Sequence, residues 1–453
     1  DAGDISFEAR PPSRPPRDEA TAQQTLNYVE WLQRRGEFDA AQPGLDELRH
    51  WIDHNAAPAP TLHARLLTLE SRQHVQRADP EAAREAAAAA VALLEGSGDS
   101  IELARAWSQL ATALRSGDRR SEALAASDHA VAMYARIAPR SDAALWALSG
   151  RVGIQRGNGQ FEAANQTLEH LEALLPPDTP DIELQASVLN LRGVRHLLAS
   201  ELPAAVRALS RAAGLLQQVP HARVLRVIVQ QNLAMASWDL GDLGQARVQM
   251  RAAIDGERRL RPGTLALARG LINDGRLQFE LGNWSDAASA YAQAETIILT
   301  LAAGQSTEAY LRANQAELAA AQGHQAQARQ LFRRAIEVNE QQPRDCYCAG
   351  PALRDYAWFL GSTGKAGARE ALALMPRVRA LLDEFDNRDI ESLLVDRQEA
   401  ELRLTTGDLA TAATLAARAR LGLATISPHS ANHALALHTE GLIARAQGRQ
   451  DAA

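Results

Sequence analysis

The stretch Leu265-Ala-Leu-Ala-Arg-Gly-Leu-Ile-Asn-Asp-Gly-Arg-Leu-Gln-Phe-Glu-Leu-Gly-Asn-Trp-Ser-Asp-Ala-Ala-Ser-Ala-Tyr-Ala-Gln-Ala-Glu-Thr-Ile297 holds the fold in miniature. Leu265, Leu267, Leu271 and Ile272 on one side of Gly282, and Ala287, Ala290, Tyr291 and Ala294 on the other, recur at helical spacing. Gly282 interrupts the pattern as a turn residue does. Two antiparallel helices joined by so short a turn pack only if small residues stand where their axes come nearest. Gly275 and Ala287 supply them, so the segment reads as a helical hairpin.

The hairpin recurs along the chain. Turn anchors stand at Gly36, Ala78, Asp118, Gly159, Ser200, Gly241, Gly282, Gly323, Ala366, Gly407 and Gly448, with a dominant step of 41 residues. Ala stands five residues after every anchor: Ala41, Ala83, Ala123, Ala164, Ala205, Ala246, Ala287, Ala328, Ala371, Ala412 and Ala453. Because that Ala helped to set the anchors, the fairer tests lie at other offsets. Seven residues before the anchor the residue is small in eight of eleven cases, and twelve after it is Ala in seven of ten. Helix breakers such as Pro176-Pro-Asp-Thr-Pro180, Arg261-Pro-Gly263 and Gln342-Pro-Arg344 separate the units. No segment alternates long enough to argue for a sheet. A fixed period of this kind marks a solenoid, and the expected fold class is all-α.

These small positions, the Gly turn and a large residue two places after it (Phe38, Phe161, Leu243, Trp284, Leu409) resemble the tetratricopeptide repeat pattern over nearly the whole chain. The period is longer than the usual 34. The resemblance is therefore to the longer-repeat branch, which includes kinesin light chain and the sensor arrays of bacterial serine/threonine kinases and transcription activators. It implies a right-handed α-solenoid of about ten hairpins plus a terminal helix, in residues 19–453, behind a Pro-rich tether in residues 1–18. Departures are expected at Pro43-Gly44 and Pro376, where Pro inside a helix removes a hydrogen bond and kinks it. The ninth unit adds bulky Phe359 and Val378 at small-residue positions, and an insertion carrying Cys346 and Cys348. The last unit has a first helix near Asn432 to Gln447 and ends at Ala453, as a solenoid cap or a truncation. The chain begins at Asp1 rather than Met, so an upstream segment is expected.

With 48 Lys+Arg against 55 Asp+Glu, net charge −7 and no run of like charges, the chain offers no basic footprint for nucleic acid and no polybasic membrane patch. Its longest apolar run, Ala86 to Leu94, is too short to cross a bilayer. Lys365 is the only Lys, and Ala makes up about a fifth of the chain. Gly361-Ser-Thr-Gly-Lys365 lacks phosphate-loop spacing, and Ala366 replaces the hydroxyl residue that would hold magnesium, so it reads as an interhelical turn. His50 with His54, and His429 with His433, have i, i+4 zinc-ligand spacing, but nothing nominates a third ligand. Cys346-Tyr-Cys348 has no second Cys pair or nearby His to complete a metal site, and two cysteines are too few for a disulfide framework. No local catalytic motif is present, and no cofactor or metal is expected.

In a tetratricopeptide-like array the first helix of each hairpin lines the inner groove. Nine residues before the anchor stand Asn27, Asn232, Asn273 and Asn314, the last three separated by 41. An Asn amide donates and accepts, so such a ladder can pair with a peptide backbone; equally it can bond to the neighbouring repeat. The family's inward positions add Gln231, Trp238, Arg269, Arg276 and Tyr310, a mixture suited to a polypeptide in the groove rather than a lipid. Trp238 can equally pack between repeats. The resemblance implies a non-catalytic sensor or regulatory array of a bacterial signalling protein, a serine/threonine kinase first. Alternatives are a free-standing scaffold, the ligand-sensing array of a transcription activator and, least, an enzyme with a dispersed site. The array is expected outside the cytoplasm if tied to a membrane-anchored kinase, and otherwise in the cytoplasm.

Overall fold

The computed structural model describes residues 15–54, 59–176, 179–199, 201–341, 349–383, 388–426, 428 and 431–449. Among these it contains 21 α-helices, one short 3-10 turn and no strand. They are α1 (Glu19–Arg34), α2 (Phe38–His54), α3 (Pro60–Gln76), α4 (Pro80–Leu94), α5 (Ile101–Ser116), α6 (Arg120–Ile137) and α7 (Asp142–Gly157). Next come α8 (Phe161–Leu174), α9 (Ile182–Leu198), α10 (Leu202–Leu216), α11 (Arg223–Asp239), α12 (Leu243–Leu260), α13 (Leu265–Glu280) and α14 (Trp284–Leu301). The last are α15 (Ser306–Ala321), α16 (Gln325–Glu340), α17 (Ala349–Ser362), α18 (Lys365–Leu382), α19 (Arg388–Thr406), α20 (Leu409–Ile426) and α21 (Ala431–Ala446). Odd- and even-numbered helices pair as the A and B members of ten hairpins, and α21 is an eleventh A helix.

The turns show why the anchors recur. Gly36, Gly159, Gly241, Gly282, Gly323, Gly407 and Gly448 all have φ between 72° and 96°, the left-handed conformation that closes a helix and that glycine adopts without strain. Ala78 and Asp118 take the same conformation, at 59° and 60°, despite their Cβ atoms. The Ala five residues on is wholly buried in all ten hairpins. At the facing position the approach is close: a Cβ on Gly193 would stand 2.6 Å from Leu209 Cγ, and one on Gly275 would enter the Tyr291 ring. Side-chain caps start many A helices, with Asp18, Ser100, Ser141, Asp181 and Thr264 each accepting from a backbone N–H three residues on.

Three expectations need correction or detail. In the ninth hairpin the turn sits at Gly364 (φ 103°), two residues before Ala366, so α18 starts early. Gly367 allows this, since a Cβ there would collide with the Leu360 carbonyl. Counted from Gly364 the small position falls on Ala357, which is wholly buried, and Phe359 joins Phe332 and Tyr356 in an aromatic cluster at centroid distances of 5.4 and 6.2 Å. Pro43 and Pro376 do not interrupt their helices: α2 and α18 run through both. Gly44 follows Pro43 because α1 approaches there, a Cβ standing 2.6 Å from Val29 Cγ2. Ser200, Cys346, Cys348, His429 and Ala453 lie outside the described residues.

The array also winds back on itself. Gln76 at the end of α3 donates to the Leu260 carbonyl at the end of α12, 184 residues later. Asp118, in the α5–α6 turn, reaches Arg269 on α13 (3.4 Å) and the first turn of α15. There its Oδ2 accepts from Ser306 Oγ at 2.8 Å, Thr307 Oγ1 at 2.9 Å and the Thr307 backbone N–H at 3.3 Å. Gln305, the α15 N-cap, makes no side-chain cap bond, so Asp118 caps that helix from 189 residues away.

Candidate ligand groove on the A helices

A period of 41 brings the same face of successive A helices side by side, and polar side chains bridge these seams. Asn232 Nδ2 donates to Asn190 Oδ1 at 2.7 Å, from α11 to α9. Trp238 Nε1 donates to Glu280 Oε2 at 2.5 Å, from α11 to α13. The Tyr310 hydroxyl donates to Asn273 Oδ1 at 3.1 Å, from α15 to α13. Gln231 reaches α13 as well, its Nε2 lying 3.6 Å from where a Cβ on Gly270 would be.

At the centre is Arg276. Its guanidinium lies over the Trp238 ring, 5.3 Å from the centroid, a cation–π contact. Burial alone would lower its pKa, but Tyr310, Glu317 and Asp355 outweigh that and hold it above the ordinary arginine value. Beside it Glu317 on α15 is pushed up to about 7, first by burial and then by the negative charge of Asp355, against the pull of Arg276 and Arg354. Asp239 at the end of α11 is raised by burial and by Glu280, opposed by Arg276. The cluster thus combines two arginines, several carboxylates, two aromatics and an amide, which suits binding of a polar ligand by hydrogen bonds and charge.

Of the residues nominated from sequence, Trp238, Asn273, Arg276 and Tyr310 come together here, with Gln231 and Asn232 on the adjoining seam. Each member of the Asn row already holds a bond within the array. Asn27 accepts from Gln23 (2.9 Å) and Arg65 (3.1 Å). Asn314, 5% exposed, donates to the Tyr310 carbonyl at 2.7 Å. Arg269 belongs to the Asp118 contact rather than to this cluster. Glu280, Glu317, Asp239 and Asp355 were not nominated. A signal for one existed: Glu317 occupies the offset of Arg276, six residues before the anchor.

The remaining motifs are placed as follows. Gly361 to Lys365 spans the α17–α18 turn, with Thr363 Oγ1 donating to the Leu360 carbonyl at 2.7 Å. His54 Nδ1 lies 2.8 Å from the His50 carbonyl, and His433 Nδ1 the same distance from that of Pro428. Among the described residues no group of three His, Cys, Asp or Glu is arranged to hold a metal, and no helix is long and apolar enough to cross a membrane. A concavity of about 600 Å³ between α18, α19 and α20 is lined by Asp396, which ion pairs with Arg379 and Arg418.

No protein-family model and no curated protein sequence matches the chain. Solved structures of similar fold do exist. A Rap protein complexed with competence and sporulation factor is 14% identical, with a TM-score of 0.50 over 91% of this chain and 100% of that one. The apo quorum sensor NprR from B. thuringiensis is 14% identical over 71% of this chain and 89% of its own, with a TM-score of 0.49. A human IFIT1 dimer with PPP-AAAA is 13% identical over 90% and 84%, also at 0.49. Repeated hairpins, small-residue seams and this likeness of fold together identify the chain as a tetratricopeptide-type α-solenoid.

Proposed function

We propose that the chain is a non-catalytic array that binds a peptide or protein segment along the A-helix face of α11, α13, α15 and α17, as the sensing or regulatory part of a bacterial signalling protein. A serine/threonine kinase is the parent that the repeat resemblance implies. The observation that carries the binding reading is Arg276, stacked on Trp238 beside Tyr310 and next to Glu317. Such a mixed anchor, an aromatic with an arginine and hydrogen-bonding groups, is typical of the few residues that dominate polypeptide interfaces. The similar fold of a Rap protein complexed with competence and sporulation factor supports a ligand-binding use of this architecture.

The test is selection from a random-peptide display library on the full chain. Enriched peptides should bind the unmodified chain and lose at least tenfold in affinity on Arg276→Gln with helicity unchanged. Peptides enriched no more than on an unrelated helical protein would sink the reading. The signalling role is tested separately by the reading frame upstream of Asp1: a kinase domain there supports it, and a start codon immediately before Asp1 overturns it.

A further inference from the structure

The sixth residue before the turn glycine forms a row on four consecutive A helices. Counted back from Gly282, Gly323, Gly364 and Gly407 it is Arg276 on α13, Glu317 on α15, Trp358 on α17 and Glu401 on α19. These helices touch in succession, so equal offsets place the four residues along one face of the array. Direct contacts tie the row together. Tyr310, two turns before Glu317 on α15, bonds to Asn273, which stands one turn before Arg276 on α13. At the other end the Arg397 guanidinium of α19 lies over the Trp358 ring of α17, 5.4 Å from its centroid. Arg397 is itself fixed: its Nη1 donates to Glu401 Oε1 at 2.8 Å, and the same oxygen accepts from Thr439 Oγ1 on α21 at 2.6 Å. Only 8% of Arg397 is exposed, and its Nε is buried without an acceptor. The guanidinium therefore braces the indole from behind, at a cost in unsatisfied hydrogen bonding.

Trp358 is 42% exposed, and no described tryptophan is more so. One side of its ring is held by Arg397, whose charge Glu401 neutralises, and the rest of the indole reaches solvent. The other cation close by, Arg354, one turn before Trp358, is paired with Asp355 and Glu391. Glu317, the neighbour of Trp358 in the row, makes no ion pair and no hydrogen bond with the described residues. The charge left over beside the open ring is therefore negative. We propose that Trp358 and Glu317 form a subsite for a basic side chain of the bound segment, arginine in preference to lysine. The aliphatic stem covers the indole, and the cation meets the ring face and the free carboxylate. A guanidinium stacks flat on the ring and offers a fork that matches both carboxylate oxygens, which an ammonium does not. An apolar side chain would cover Trp358 but leave Glu317 uncompensated. Arg276 lies two A helices away, about 20 Å, which an extended chain covers in about six residues. The segment thus carries its basic residue about six positions from the group that meets Arg276. This subsite deepens the reading above and rests on it for the groove.

The experiment measures fluorescence anisotropy of labelled hexaarginine, hexalysine and hexaglutamate against the full chain at pH 8, above the pKa of about 7 at Glu317. Hexaarginine should bind more tightly than hexalysine, and hexaglutamate least. Trp358→Ala and Glu317→Gln should each reduce hexaarginine affinity at least fivefold at unchanged helicity, while Glu19→Gln, which removes one remote negative charge, should leave it within twofold. Should Trp358→Ala lose helicity, Trp358→Leu replaces it, keeping apolar bulk without the ring, with an expected loss of threefold or more. Arg276→Gln should leave hexaarginine affinity unchanged or raise it, although it weakens the peptides selected above. The two readings therefore fail separately: selected peptides sensitive to Arg276→Gln, with no hexaarginine binding, would keep the groove and remove the subsite. Hexaarginine binding no better than hexaglutamate, affinity untouched by the Trp358 and Glu317 substitutions, or an equal loss on Arg276→Gln would overturn the proposal.

Discussion

At the scale of single residues, Glu317 sets a stability dependence on pH whose sign is fixed by its environment. Its folded pKa of about 7 lies above the ordinary value of 4.5. Below pH 4.5 the carboxyl is largely neutral in both folded and unfolded chains; between about 4.5 and 7 the unfolded chain ionises it while the folded state resists, so stability falls as pH rises through that window and stays lower above it. Glu317→Gln should therefore stabilise the chain at pH 8 by about 1 kcal/mol, after discount for partial exposure, and leave it nearly unchanged at about pH 3.5, below both pKa values. Chemical denaturation at the two pH values checks this, and equal effects at both would remove the carboxyl from the account. Ala78 offers a second test. Its φ of 59° strains a Cβ-bearing residue, and Ala78→Gly should gain about 1 kcal/mol in the same assay. The Asn row shows the limit of one-residue reasoning: spacing nominated the amides, but only the neighbours of Asn232, Asn273 and Asn314 show that each already spends a hydrogen bond within the array.

At the scale of the helix pair, glycines divide into those that fill a seam and those that do not. A Cβ on Gly275 has no room against the Tyr291 ring, whereas Gly150, inside α7, has no atom within 4 Å of where a Cβ would stand. Gly275→Ala should cost about 1–3 kcal/mol through overpacking, and Gly150→Ala should gain about 0.5–1 kcal/mol from helix propensity. Thermal melts of the two variants should move in opposite directions; a shared direction would mean that the small-residue seam is not what sets hairpin packing. The hairpins themselves were legible because the same small positions repeat at one offset in unit after unit. The ninth was misread by two residues, since Ala371 fits the pattern of its neighbours while the turn forms two residues before the anchor, at Gly364, where glycine can take φ 103°.

At the scale of the whole molecule, a solenoid held only by contacts between neighbours opens piecemeal. Here Asp118 joins the third hairpin to the seventh and eighth, and its carboxyl is 2% exposed. Burial would raise its pKa, but Arg120, Arg269 and the Ser306 hydroxyl outweigh that and hold it below the usual carboxylate range. This contribution is present above pH 4 and lost as pH falls further. Asp118→Ala removes the cap of α15 and leaves Arg269 and Arg120 without their carboxylate, a loss of about 1–3 kcal/mol because the carboxylate is buried while both guanidinium groups stay partly exposed. The variant should show faster amide exchange in the first turn of α15 and a larger radius of gyration by small-angle scattering. Asp118→Asn, which keeps the accepting oxygen and tolerates positive φ, should lie between the two. An unchanged radius in both would show that contacts such as Gln76 with Leu260 hold the winding without it.

The sequence by itself determined the period, the hairpin, the turn positions and the faces that meet, because helix geometry and close approach act within about forty residues and repeat with every unit. It also nominated Trp238, Asn273, Arg276 and Tyr310, which lie together on adjacent A helices although each stands at a different offset from its turn. Only the tertiary structure decided which distant groups pair and which turns touch. Asp118 stands at an ordinary turn position, and nothing near it in the chain foretells Ser306, Thr307 or Arg269. Those contacts depend on how small rotations between successive hairpins accumulate over about four to five repeats, a sum that no local pattern encodes.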